Sequence, residues 1–230
     1  MDARQGWDRR VVYSGVMSSE PSPTASCEMR SSDRRTRGRA RRRDQVYGAA
    51  VALFVEKGFD STTMEDIADR ADVARATVFN HFARKSAFLD EWSARRRLRA
   101  LSAVYTEHLQ GRPVREILAR YMVELAKVST QTRIETVALM GAAVHTTNLL
   151  GNPALAQELT AILRRKRAEG ELRQGADPEI AGLLLATGYF ATVTAWIDAE
   201  PQPFELGQRL LQIVDIVLDG IAGQGSDGPT

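Results

Sequence analysis

The sequence predicts an all-α fold, a small three-helix unit followed by a larger helical body, and three observations lead there. Apolar residues recur at spacings of three and four from about Arg41 to Ile221, which is the period of an amphipathic helix. No convincing strand pattern interrupts them. Helix-opening prolines (Pro153, Pro178, Pro203) and helix-stopping glycines (Gly58, Gly170) cut the pattern into segments of helical length. With 230 residues, 43% of them hydrophobic, the chain can bury one generous helical core or two smaller ones.

Residues 1 to about 32 are rich in Ser, Pro and charge without a sustained period, so a disordered basic extension is expected over residues 1–38. Arg34 to Arg43 holds seven arginines in ten positions. Such a run is either a solvated like-charge tail or an arm lying along phosphates or in a minor groove, and its place directly before the next unit favours the arm. From Arg30 to Gly58 nine basic residues face three acidic ones, a local charge of +6 in a chain whose total is +2. Basicity is therefore concentrated, as attraction to nucleic-acid phosphate requires.

A first helix is expected from about Arg41 to Lys57, with Val46, Ala50, Leu53, Phe54 and Lys57 on one side and Gly58 as its stop. Met64, Ile67, Ala68 and Ala71 then form an apolar stripe at i, i+3, i+4 and i+7. Thr62 and Thr63 precede it, and Glu65 and Asp66 occupy its first turn, where hydroxyls cap and carboxylates suit the helix dipole. Asp72-Val73-Ala74 leaves room only for a tight corner, plugged from inside by Val73, before a short helix from Arg75 to Phe82. If Val78 and Phe82 point inward, Arg75, Ala76, Phe79 and Asn80 turn outward, with Thr77 and His81 at the edges. Arg, Thr, Asn and His are side chains that contact bases and phosphates.

This run, TTMEDIADRADVARATVFNHFARKSAFL, follows a helix ending in Phe54-Val55-Glu56-Lys57-Gly58-Phe59. It resembles the DNA-binding domain of TetR-family transcriptional regulators over roughly Arg43 to Trp92. The resemblance implies a helix-turn-helix domain over residues 39–92. It implies recognition-helix roles for Arg75, Ala76, Thr77, Phe79, Asn80 and His81, and phosphate contacts from Thr63 and Lys85. The chain departs from the family at Ala74, Ala76 and Phe79, where Ser, Gly and Tyr are usual. A helix cap, a close-approach glycine and a phenolic hydroxyl are thereby lost, and the Phe79 ring is left to pack against sugar or a thymine methyl.

The body, residues 93–222, is helical throughout by pattern. A long helix continues from Lys85 to about Gln110, where Gly111 and Pro113 break it. Val114, Ile117, Leu118, Tyr121, Met122, Leu125 and Val128 mark the next, and Ile134 to Leu150 contains another. Asn152-Pro153 opens a helix to about Glu169, and Asp177-Pro178 opens a long apolar one to about Asp198. The uncharged run Ile180 to Ile197 is near the lower limit for a membrane span, carries three threonines and has acidic flanks, so a buried soluble helix is expected. Pro203 introduces the last helix, and a loose tail follows over residues 223–230.

Such a body exceeds what binding one DNA half-site needs and suggests dimerisation and sensing. On the penultimate helix Gly188, Ala191 and Ala195 are small residues at three-to-four spacing that let another helix approach, beside Leu184, and the last helix adds Leu210, Val214 and Leu218 as a stripe at the same period. By the resemblance, these two helices form a four-helix interface with their symmetry mates. For each of these, intramolecular core is the alternative. A sensing pocket would draw on Trp92, Tyr105, His108, Tyr121, Met122, Met140, His145, Asn148, Tyr189 and Trp196, each of which can equally be plain core or surface. Basic residues are not concentrated among them, which suits a hydrophobic or aromatic effector better than a phosphate or dicarboxylate. Arg95 to Arg97 with Arg99, and Arg164 to Arg167, read as solvated helix faces.

Catalysis is not expected, and neither a cofactor nor a metal site. His81, His108 and His145 lie far apart without metal-ligand spacing, and neither a glycine-rich phosphate loop nor a GxSxG elbow occurs. The single cysteine, Cys27, excludes an intramolecular disulfide and fits a reducing cytoplasm. The expected function is a DNA-binding transcriptional regulator: a homodimeric repressor on a double-stranded, pseudo-palindromic operator, released by a small-molecule effector, with no membrane partner. The alternative is a dimeric DNA-binding protein whose C-terminal domain binds a protein partner or no ligand.

Overall fold

The computed structural model describes residues 23–106, 111–146 and 153–221, with backbone alone at 23–35 and 145–146. Among the described residues the chain forms helices and no strands: α1 Pro23–Lys57, α2 Met64–Arg70, α3 Arg75–His81, α4 Ser86–Thr106, α5 Val114–Gln131, α6 Arg133–Thr146, α7 Ala154–Ala168, α8 Pro178–Ile197 and α9 Leu206–Ile221. The all-α class and the helix-turn-helix read from periodicity are what is observed. Two compact units divide between Arg42 and Arg43.

One boundary differs. Irregular chain was expected up to residue 38, yet α1 begins at Pro23. Ala25, Glu28, Met29 and the arginines that follow are strong helix formers. Charge without an apolar stripe does not by itself require irregular backbone. The disorder expected over residues 1–22 and 223–230 lies outside the described residues.

The α2 start is built by a capping box. Thr63 Oγ1 accepts from the Asp66 amide at 3.1 Å, while the Thr63 amide donates to Asp66 Oδ2 at 2.7 Å. At α8, Asp177 Oδ1 accepts from the amides of Glu179 and Ile180 at 2.9 and 3.1 Å, and Pro178 occupies the first turn. Gly58 ends the helical run of α1 with a φ of +87°, a conformation open to glycine at little cost.

In the body, α5 runs through the core, with Leu118, Tyr121, Met122 and Leu125 buried among α4, α7 and α9. Helix α8 lies between α7 and α9. Close approach on the first side needs Gly182, where a Cβ would sit 2.2 Å from Thr160 Oγ1 and 2.9 Å from the Thr160 backbone nitrogen. On the second side a Cβ at Gly188 would stand 2.9 Å from Ile213 Cγ2. Helix α8 is the helix among the described residues long and apolar enough to cross a membrane, and half of that apolar stretch is buried inside the molecule.

Candidate nucleic-acid interface and effector pocket

Helix α3 is short, so its orientation must come from its neighbours. Val78 and Phe82 point inward and are almost fully buried. Phe82 stacks on Phe88 at 4.0 Å between ring centroids, and Phe88 meets Phe54 edge-on at 6.0 Å. The α2–α3 corner places Asp72 at φ +49°, a left-handed position that Asp tolerates better than most residues. Gln45 Nε2 from α1 donates to the Ala71 carbonyl at 2.8 Å, which ties the end of α2 to the first helix. Val73 is half-buried against the same core.

With α3 pinned from inside, Arg75, Ala76, Phe79 and Asn80 face outward and exposed, and Thr77 and His81 are half-buried at the edges. Ala74 caps α3 with backbone only. Arg75 is ion-paired with Glu65 of α2, and its guanidinium stands 5.5 Å from the Phe79 ring centre. Both members of that pair are exposed, so the pair is weak and readily exchanged for another acceptor.

Two residues assigned to phosphate contacts by resemblance are engaged internally. The Lys85 ammonium donates to the carbonyls of Phe59, Asp60 and Thr62 at 2.8, 3.2 and 3.0 Å and lies 4.5 Å from the Phe59 ring centre. An ammonium has three protons, so direct contact with phosphate would require Lys85 to give up a loop carbonyl. Lys85 staples the α1–α2 loop. Thr63 is exposed, but its hydroxyl donates to Asp66 Oδ2 at 2.7 Å, as its amide does. The Lys57 ammonium beside Asp66, followed by the two Thr63 bonds, holds that carboxyl well below the usual range.

The arginine run is also corrected at its end. Arg37, Arg39, Arg41 and Arg42 are exposed, but Arg43 is a structural tie. It donates to the His81 carbonyl at 2.7 Å and to Glu91 Oε2 at 2.7 Å, and it lies 4.2 Å over the Phe82 ring. Burial alone would raise the Glu91 pKa, yet the bonds from Arg43 and Arg95 outweigh it and lower the pKa.

In the body, Trp92, Met140 and Tyr189 come together around a small pocket of about 20 Å³. Tyr105 is exposed and lines a larger cleft of about 260 Å³ between α4, α5 and α7. Tyr121 is buried and donates to Glu158 Oε2 at 2.5 Å; burial, then the Glu158 charge, raises its pKa far above the ordinary phenol value. Met122 is core and lines neither space. Trp196 is buried beneath Arg133, 5.1 Å from the guanidinium. His108 and Asn148 lie outside the described residues, as does the side chain of His145.

The two basic runs are not wholly solvated. Arg96 is 6% exposed and lines the small pocket. Lys166 is 1% exposed and bonds Glu169 and Glu171, each at 2.7 Å. Burial would depress the Lys166 ammonium, but those two carboxylates raise it. Each cation shares a helix face with buried apolar residues. Trp92, Arg96, Ala100 and Val104 recur every fourth residue on α4, and Leu159, Leu163 and Lys166 follow one face of α7. That spacing was the available signal.

The interface residues inferred by resemblance divide. Leu184 is 54% exposed, and Ala191 and Ala195 are exposed on the same face of α8, together with Ile180 and Leu183, which the sequence reading omitted. Leu210, Val214 and Leu218 are at most 2% exposed. They belong to the chain's own core, because the α9 stripe is consumed by packing on α5 and α8. Gly188 is half-buried and accommodates Ile213 of α9.

Residues 46–92 match the family of bacterial regulatory proteins of the tetR type. Along most of its length the chain is similar to the probable acrEF/envCD operon repressor of Escherichia coli K12, 24% identical over 200 residues, covering 80% of this chain and 89% of that one. Its fold is similar to Thermus thermophilus FadR, a repressor solved with lauroyl-CoA, with TM-score 0.66, 25% identity and coverage of 82% and 99%. SmeT, repressor of the Stenotrophomonas maltophilia SmeDEF multidrug efflux pump, superposes with TM-score 0.62 at 25% identity, covering 81% and 93%, and is also known in complex with triclosan. Residues 46–92 are a TetR-type DNA-binding domain, and these findings together support a DNA-binding transcriptional regulator of that family.

Proposed function

We propose that the chain is a homodimeric repressor that occupies a pseudo-palindromic operator and is released from it by a hydrophobic or aromatic small molecule. Residues 39–92 serve as the reading head and 93–222 as the dimerisation and effector body. The observation that carries this reading is the outward face of α3. Four exposed side chains, Arg75, Ala76, Phe79 and Asn80, share one side of a helix whose other side is locked into an aromatic core. Such a helix can enter a major groove without rearranging.

In this reading Arg75 and Asn80 contact base edges and Phe79 supplies an apolar contact to sugar or a thymine methyl. The exposed arginines before Arg43 supply phosphate attraction in place of Lys85. Ile180, Leu184, Ala191 and Ala195 form the α8 part of the dimer face, since this apolar face is the side of the helix left uncovered. The lauroyl-CoA and triclosan complexes of similar repressors support an apolar effector. An effector releases DNA to the extent that it prefers the conformation whose two heads no longer match the half-sites.

The test is selection of bound fragments from the source genome with purified full-length protein, followed by titration against the selected fragment and random DNA at several salt concentrations. A two-fold-symmetric motif with half-sites about one helical turn apart is expected. Binding that depends on salt but is indifferent to sequence overturns the reading.

A further inference from the structure

The Arg96 guanidinium is buried without a counter-charge. Its Nη1 donates to the hydroxyl oxygens of Thr132 and Thr136 at 2.8 and 3.2 Å, and its Nη2 to that of Ser129 at 2.6 Å. The hydroxyl protons are committed elsewhere. Ser129 donates to the Leu125 carbonyl, Thr132 to the Val128 carbonyl, and Thr136 to the carbonyls of Thr132 and Ser129. Three neutral dipoles therefore solvate the cation, and no carboxylate lies within ion-pair distance of it among the described residues. Buried charges are ordinarily paired, because removing one from water is costly.

Trp92 supplies a second, independent sign. Its ring lies 4.4 Å from the Arg96 guanidinium, and its indole Nε1 is buried without a hydrogen-bond partner. Both residues line the same small pocket of about 20 Å³, beside Met140, Leu155 and Phe190. That space holds little more than one water-sized group. A cation with donors to spare and an unpartnered N–H, on two residues that line one space, are both complemented by an acceptor oxygen, and the uncompensated cation favours an anionic one.

An ion pair joins the lining of this pocket to that of the cleft of about 260 Å³. Arg97 lines the pocket, Glu158 lines the cleft, and they meet at 3.0 Å. We propose that the effector of this chain is an apolar molecule ending in a carboxylate, which Arg96 and Trp92 Nε1 receive while the apolar body lies toward the cleft of Leu101, Val104, Ile117 and Ile162. This rests on the reading of the body as an effector domain and names the chemistry of that effector. Planar carboxylate suits the guanidinium fork and needs little width. Because Arg96 sits on α4, the helix that continues from the head, an effector that draws it from Ser129, Thr132 and Thr136 alters how α4 is tied to the α5–α6 corner.

The test uses the full chain and its selected operator fragment, with carboxylates from benzoate to dodecanoate, each beside its methyl ester and the matching alcohol. Thermal shift and operator release are read together. At least one carboxylate is expected to bind wild-type protein about tenfold or more tightly than its neutral partners, in line with a charge-assisted hydrogen bond. Arg96→Gln is expected to abolish that preference, and Trp92→Phe, which keeps a ring, to shrink it about threefold. If Arg96→Gln fails to fold, Trp92→Phe carries the test. Alcohols or esters acting as well as carboxylates on wild type overturn the proposal and leave the effector reading standing. A carboxylate preference undiminished in both variants overturns it in the same way. Silence of the whole series overturns it as well, and a hydrophobic neutral library run in parallel then decides the effector reading separately.

Discussion

At the scale of single residues, Lys85 and Arg75 exchange the weights their positions suggest. Lys85 has its ammonium enclosed by three carbonyls of the α1–α2 loop, so its removal is a folding defect before it is a binding defect. Lys85→Met is expected to lower stability by about 2 kcal/mol, since hydrogen bonds to a charged group are lost and carbonyls are left unpaired. Thermal melting measures this, and the salt dependence of DNA binding by the folded variant should stay close to wild type. A flattened salt slope with unchanged melting would restore Lys85 to phosphate contact. Arg75 is held by an exposed pair with Glu65 and the exposed Phe79 ring. Arg75→Ala is expected to cost about 1–3 kcal/mol on the selected operator and much less on random DNA, measured by paired titrations. Equal losses on both would remove its base-reading role.

At the scale of elements, the crossing of α7 and α8 is the least forgiving contact. Gly182→Ala would force a methyl against the Thr160 backbone, 2.9 Å away, as well as against its hydroxyl. Backbone cannot swing aside as a side-chain tip does, so a loss of about 1–3 kcal/mol is expected, read as a lowered melting temperature. An unchanged melting temperature would mean that α7 and α8 slide freely past each other. The helices themselves were legible in sequence, since Thr63, Pro153, Asp177 and Gly58 are capping and stopping residues that act on their own neighbours. The extension of α1 back to Pro23 was not, because a charge run without an apolar stripe looks the same whether helical or irregular. Arg96 and Lys166 were missed for a related reason. A cluster of like charges was read as one solvated face, although every fourth residue of α4 turns inward.

At the scale of the whole molecule, the uncovered apolar face of α8 bears on assembly. Leu184→Glu places a carboxylate where Leu184 is 54% exposed in the single chain, so the fold should survive it. A dimer closing over that face would have to bury an unpaired charge. The association constant is expected to fall at least about tenfold, and operator binding with it, as read by sedimentation and titration. A dimer of wild-type affinity would place the interface elsewhere. Val214→Glu is the contrast: Val214 is wholly buried in the chain's own core, and that change should unfold the protein.

The sequence alone determined the helix-turn-helix, its outward set of Arg75, Ala76, Phe79 and Asn80, and the order of body helices, because each follows from local periodicity and local capping. Tertiary structure decided how the remaining positions divide among surface, core and cavity. It put Leu210, Val214 and Leu218 in the core, Lys85 into a loop staple, and Arg96 beside Trp92 at a small pocket. A helical period says which residues share a face, but only the packing of other helices says what that face meets.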